Sequence, residues 1–207
     1  MAFRYIDNMV KLVNQANFIS QIRVRNISVF SAKDIRRLFG VSAVAASALL
    51  HRYKKGGFII QLKRGLYAFP DSLPPDVYIA NKLYSPSYLS LEFALSYHRV
   101  IPETVYELTS VTTKATRKFE RLGKIFSYRK IKKGAYTGYD TQTQKGFSFH
   151  IADAEKAFVD ANYLRLVLKQ KPILRFDKKK INHSKALKYA SLFDNYKLVS
   201  IIKTTLK

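Results

Sequence analysis

The sequence contains no cysteine, which excludes zinc ribbons, C2H2 fingers, iron–sulfur clusters and disulfide frameworks together. It also lacks any run of about 18 apolar residues, the length a membrane-spanning helix needs. No stretch reads as a helix strongly basic on one face with Trp, Phe and Leu on the other, the pattern of a membrane-surface anchor. Internal repeats and low-complexity segments are missing as well. Acidic residues are scarce: 14 Asp plus Glu stand against 37 Lys plus Arg, a formal net charge of +23. Such a field draws in polyanions and speeds encounter with them. Without an amphipathic membrane helix, nucleic acid is the expected polyanion. The opening Met1-Ala2-Phe3-Arg4-Tyr5 has no signal-peptide apolar core, so a cytoplasmic location is expected. What is present is a chain of 207 residues, 47% hydrophobic and 14% aromatic. That is enough for one large or two small packed domains.

Pro70, Pro74 and Pro75 place three prolines in six residues. The chain must turn or run extended there, which predicts a domain 1–70 and a second domain 71–207. The first carries 12 basic and 2 acidic residues, net +10, leaving +13 for the second. Both halves are basic.

In the first half, residues 6–22 carry Met9, Val10, Leu12, Val13 and Ala16 near helical spacing, predicting an opening helix. Next, Ser31 is a good N-cap, Ile35, Leu38 and Phe39 form an apolar stripe, and Gly40 suits a left-handed stop. After a short turn Ser42 caps a further helix reaching about Lys55. Its apolar stripe is Ala46, Leu49, Leu50 and Tyr53. The opposite face carries Val44, Ala48, His51 and Lys55, flanked by Ser47 and Arg52. Gly56-Gly57 then ends the helix, and two short β-segments follow, joined by a tight turn at Lys63-Arg64-Gly65. Three helices and a hairpin in this order make a winged helix-turn-helix.

The chemistry suits DNA. Small side chains let a helix backbone approach the major groove, so Ser42 and Ser47 are placed to meet phosphates or bases, and Val44 and Ala48 thymine methyls. His51, Arg52 and Lys55 follow the phosphate backbone, while Lys63 and Arg64 reach phosphates or the minor groove. No Asn, and no Arg in the first turn, is placed for a bidentate base contact. Specificity then leans on DNA shape, dimerisation or the second domain.

The second half reads as an α/β (α+β) module. Residues 76–84 predict a short helix, 87–98 an amphipathic helix, and 106–113, 126–131 and 147–151 three strands. Asp153 caps an apolar helix to about Leu168, and one or two helices fill 184–206. Between Lys114 and Lys133 stand nine basic residues and one acid, Glu120. Lys114, Arg117, Lys118 and Arg121 are read in a loop or helical turn. Lys124, Arg129 and Lys130 lie along the next strand, among Phe126 and Tyr128. Cations interleaved with aromatics suit single-strand binding, but Phe126 and Tyr128 also fit a core-facing strand, the preferred reading.

A metal-dependent nuclease needs converging carboxylates. Asp153, Glu155 and Asp160 are the acids to weigh, and capping and the helix dipole explain the first two. His51, His98, His150 and His183 are scattered, and the eight glycines form no phosphate loop. No catalytic residue, metal or cofactor is expected.

Four stretches resemble AbiEi-type antitoxins of bacterial type IV toxin–antitoxin and phage-defence (abortive infection) operons. They are 63–70 (KRGLYAFP), 79–98 (IANKLYSPSYLSLEFALSYH), Ile101-Pro102-Glu103 with 109–114 (TSVTTK), and 151–157 (IADAEKA) reaching Asp160. The resemblance implies a transcriptional regulator that represses its own operon through the winged helix, binding double-stranded operator DNA. Its second domain would neutralise a nucleotidyltransferase-like toxin, without stable toxin binding being implied. The alternative is an antitoxin that inhibits its toxin by direct contact, with DNA binding secondary.

Overall fold

The computed structural model describes residues 14–207, a mixed α/β chain of two compact units dividing between Pro74 and Pro75. The first unit contains α1 (Gln15–Val24), β1 (Val29–Phe30), α2 (Ala32–Phe39), α3 (Ala43–Lys55), β2 (Ile60–Lys63) and β3 (Leu66–Ala68). The strands form an antiparallel sheet in the order β1-β3-β2. This is a winged helix-turn-helix. Ser31 and Asp34 close a capping box at the start of α2, with Asp34 Oδ2 accepting from the Ser31 backbone N–H at 2.9 Å. Gly40 ends α2 at φ 64°, a left-handed turn that an L side chain would strain.

Of the predicted opening helix, α1 is the described part. Its predicted start, with Met9, Val10, Leu12 and Val13, lies outside the described residues, and Ala16 is exposed. The buried contacts come from Phe18 and Ile22. Phe18 is a hub whose ring meets Phe30, Phe39, Tyr53, Phe58 and Phe69 at centroid distances of 5.7, 5.9, 4.9, 6.4 and 6.0 Å. Edge-to-face pairs of this kind add to area burial. The core of the first unit draws on residues between Phe18 and Phe69, with the predicted stripe of Ala46, Leu49, Leu50 and Tyr53 inside it.

The second unit is built on a six-stranded sheet with order β6-β7-β5-β4-β9-β8. The strands are β4 (Ser87–Leu89), β5 (Leu108–Thr112), β6 (Arg117–Arg121), β7 (Lys124–Lys130), β8 (Tyr139–Gln144) and β9 (Phe147–Ala152). Pairs β5/β7 and β4/β9 are parallel and the rest antiparallel. The helices are α4 (Asp76–Leu83), α5 (Leu91–Tyr97), α6 (Ala154–Val167), α7 (His183–Ser191) and α8 (Tyr196–Thr205).

Three expectations are corrected here. The helix predicted over 87–98 is a strand, β4, followed by the helix α5. Ser87, Tyr88 and Leu89 are all buried between β5 and β9, and a short fully buried run carries no period to separate strand from helix. The basic segment read as a loop is the edge strand β6, joined to β7 by Leu122-Gly123 with φ 55° and 69°. β8 has no counterpart among the predicted strands: its Tyr-Asp-Thr-Gln-Thr-Gln run is largely polar, and Lys145-Gly146, φ 50° and 79°, turns it into β9. In both hairpins a residue followed by Gly occupies left-handed space, the signature of a tight twisted turn.

The last forty residues close over α6. Tyr189 of α7 donates its hydroxyl to Asp153 Oδ2 at 2.7 Å, and Lys185 lies 3.1 Å from both Asp153 Oδ2 and Glu155 Oε2. The backbone N–H of Asn182 donates to Glu155 Oε1 at 2.9 Å. Gly138 sits under the Tyr189 ring at φ 74°, where a Cβ would lie 2.7 Å from the ring. Gly138→Ala is therefore expected to cost about 2–3 kcal/mol through overpacking and a left-handed backbone. Chemical denaturation checks it, and a loss under about 0.5 kcal/mol would mean that the ring moves aside freely.

Candidate nucleic-acid interface

The helix-turn-helix places α3 with its N-terminus capped and one face bare. Ser42 Oγ accepts from the Ala45 N–H at 3.1 Å, so its lone pair is committed to the cap while its hydroxyl proton remains available to an outside acceptor. Beyond the cap, Val44, Ser47, Ala48, His51, Arg52 and Lys55 are all exposed. Val44 is 78% exposed. The opposite face holds Ala45, Ala46, Leu49, Leu50 and Tyr53. The exposed row runs from small side chains at the helix N-terminus to His51, Arg52 and Lys55 at its end. This is the gradient that close backbone approach at one end and phosphate contact at the other require. The Arg52 guanidinium lies 5.4 Å from the Tyr53 ring centroid, which steadies it along the helix.

The wing is a short hairpin. Lys63 pairs with Leu66, leaving Arg64-Gly65 as the turn, with Gly65 at φ 78°. Arg64 occupies the exposed tip, and Lys63 is the half-buried last residue of β2. Two struts, unmarked by any sequence motif, hold this hairpin. Lys54 Nζ donates to Gln61 Oε1 at 2.7 Å and ties β2 to the end of α3. Arg23 reaches Asp71 Oδ2 at 2.6 Å, with its guanidinium 5.7 Å from the Phe69 ring, and so fastens the exit from β3 to α1. Lys54 and Arg23 are cations of the same unit, but both are engaged inside it.

In the second unit the pleat redistributes the basic run. Cross-strand pairs put Arg117 opposite Tyr128, Phe119 opposite Phe126 and Arg121 opposite Lys124 on one face of the sheet. Lys118 lies opposite Ser127 on the other. Alternation sends Lys130 with the first group and Arg129 with the second. Cations contiguous in sequence are thus divided between two faces. Several are also engaged internally. Lys124 is ion-paired with Asp76, Lys114 Nζ donates to the Ser85 carbonyl at 2.5 Å, and Lys118 lies 3.8 Å from Glu120. Phe126 and Tyr128 are fully buried, and the Tyr128 hydroxyl donates to the Ala80 carbonyl at 2.6 Å. The aromatics interleaved with the cations are core. A charged edge strand also discourages pairing with other chains, so part of this charge has a structural use.

The weighed acids all have structural partners. Asp153 caps α6 by accepting from the Lys156 N–H at 2.7 Å, and Glu155 faces Lys185 and Asn182. Asp160 is fully buried and ion-paired with Lys156, which is itself fully buried. The Ser90 and Tyr88 hydroxyls donate to Asp160 Oδ2 at 2.8 and 3.1 Å. Burial pushes the Asp160 carboxyl above the ordinary carboxylate range, and Lys156 and the two hydroxyls pull it back. Among the described residues no three His, Asp or Glu side chains gather as metal ligands would, and no helix is long and apolar enough to cross a membrane.

Residues 17–70 match the model of a family described as a transcriptional regulator, AbiEi antitoxin. The match begins within α1 and ends just past the wing, so it supports the AbiEi-type resemblance in the winged-helix unit. The resembling stretches from residue 79 onward lie outside it. No curated protein matches the chain.

Proposed function

We propose that this chain, whose winged helix is of the AbiEi antitoxin regulator type, binds its own operator as double-stranded DNA and represses transcription from it. The bare face of α3, from Ser42 to Lys55, enters the major groove, and Arg64 with Lys63 contacts the phosphates or minor groove beside it. In this reading the chain is the antitoxin of its operon and counters a nucleotidyltransferase-like toxin. The observation carrying it is the capped, exposed and small-to-basic face of α3, next to a cation-tipped wing and inside the family-matched residues.

The test is binding to DNA from upstream of the gene against scrambled DNA over a salt series. A preference of several hundred-fold, on the order of specific regulators, is the expected result. Equal and steeply salt-dependent binding to both DNAs would reduce the interaction to generic charge. Lys63→Ala with Arg64→Ala should lower affinity for both DNAs and reduce the salt slope by about 0.9 for each phosphate left without its cation.

The edge strand of the second unit adds cations to the same complex. Arg117, Lys118 and Arg121 are exposed on β6, the outermost strand of the sheet. Their triple reversal to Glu is expected to weaken operator binding and flatten its salt dependence. Unchanged affinity and slope would leave these cations as guards of the sheet edge.

A further inference from the structure

The larger unit contains a cleft for which operator binding has no use. β4 is three residues long and meets β9 through Leu89 and Ile151. On the N-terminal side of that pair the two strands are not joined, and the gap in the sheet is completed by a side chain. Asn81, from α4, accepts the backbone N–H of His150 on its Oδ1 at 2.5 Å. The opening left there is a cleft of about 430 Å³ whose lining includes Asn81, Lys82, Ser87, Tyr136, Tyr139 and His150.

Three properties of the cleft point to one ligand chemistry. First, Asn81 Nδ2 and Ser87 Oγ are buried without a hydrogen-bond partner, and both residues line this cleft. Buried donors left unmatched are costly, and native structures seldom leave them so. Second, two rings flank the opening. Tyr139 is stacked on the buried Tyr88 with centroids 4.5 Å apart and planes 19° apart, and Tyr136 lies 5.5 Å from Tyr139. Third, no carboxylate is among the lining residues, whereas Lys82 is, and it stands exposed at the rim. The cleft is therefore lined by an amide, hydroxyls, flat aromatic surface and one cation.

We propose that this cleft binds a nucleotide, its base against Tyr136 and Tyr139, with acceptor atoms of the base on Asn81 Nδ2 and Ser87 Oγ and the phosphate on Lys82. Aromatic side chains hold bases by their faces without regard to sequence. An amide donor at the cleft floor then selects for a base edge that carries acceptors. The nucleotide has two possible sources, a free mononucleotide or a nucleotide of a single strand, and the chemistry of recognition is the same for both.

The test uses the full chain, titrated by calorimetry with the common nucleoside monophosphates and, separately, with a short single-stranded oligonucleotide. Asn81→Asp keeps the oxygen that holds His150 but replaces the free donor by a charged acceptor, and should weaken binding at least about tenfold. Lys82→Ala, at an exposed position, should weaken monophosphates while leaving the matching nucleosides unchanged. Saturation by a monophosphate with both responses assigns the free nucleotide. Saturation by the oligonucleotide, equally dependent on Asn81, assigns a nucleotide within a strand. Absence of binding by either probe at millimolar concentration overturns the proposal, as does binding indifferent to both substitutions. Operator affinity of the same variants, measured in parallel, should stay at the wild-type value, so the two readings fail separately.

Discussion

Replacing Lys156 by methionine should remove about 3–5 kcal/mol of stability from the larger unit, the cost of leaving a buried charge without its partner. The lysine and Asp160 lie one turn apart on α6, both fully buried. Lys156 Nζ stands 5.7 Å from the Tyr88 ring centroid and 5.0 Å from that of Phe193. No water route is needed to satisfy Asp160, because Ser90 and Tyr88 already donate to it. In the single variant the carboxylate retains these two neutral donors and loses the cation that justified its charge. Asp160 must then either stay charged at high cost or take up a proton. The melting midpoint is expected to fall by roughly 10–20 °C, given the usual scaling for a unit of this size. The double change Lys156→Met with Asp160→Leu removes both charges and should recover most of the loss. A single-variant loss below about 1 kcal/mol would mean that solvent reaches the pair.

The second large effect is expected at Ala48. This residue is exposed in the middle of the bare face of α3, and glutamate is a good helix former, so Ala48→Glu should leave the melting behaviour unchanged. A carboxylate placed against base edges and phosphates meets repulsion of several kcal/mol. Operator affinity should fall at least about a hundredfold, equivalent to about 3 kcal/mol, while weak binding to scrambled DNA falls less. Retained affinity in a folded variant would remove α3 as the reading helix and turn attention to the wing.

How much of this could be read from the sequence depended on whether a residue's task is local. Caps and turns are local, so Ser31, Gly40, Ser42 and Asp153 could be placed from their neighbours, and the structure has each in its role. The face of α3 was equally legible, since a 100° period fixes which side chains share a side. Phe18 was not, because nothing in residues 6–22 distinguishes a hub aromatic from any other, and the rings it meets come from elements up to about fifty residues away. The strands β6 and β8 were hidden by composition. An edge strand is exposed enough to be charged or polar, so the alternation that betrays a half-buried strand fades. The Leu122-Gly123 and Lys145-Gly146 pairs were the signal available for both hairpins. Asn81 and the cleft beside it had no signal at all. A side chain completing a gap between parallel strands is set by sheet order, which the sequence does not spell out.

The basic run between Lys114 and Lys133 illustrates the same point for charge. Its density suggested one continuous surface, but a strand sends successive residues to opposite faces, and the hairpin doubles that division. Charge counted along the chain overstates charge presented to a single partner.

The position of Phe193 bears on how the molecule is made. Among the described residues the core of the winged helix uses none later than Phe69, so that core can pack once the first third of the chain has left the ribosome. The larger unit is different. Its buried lysine lies against the ring of Phe193, and Leu198 and Ile202 of α8 are buried as well. Until those residues emerge, α6 carries a lysine and an aspartate facing an unfinished wall. Domains generally fold as units and in order of synthesis, so a ribosome-bound intermediate has a completed winged helix and an open second half. A stall late in translation would release a folded winged helix without its companion, and the two halves therefore mature on different clocks.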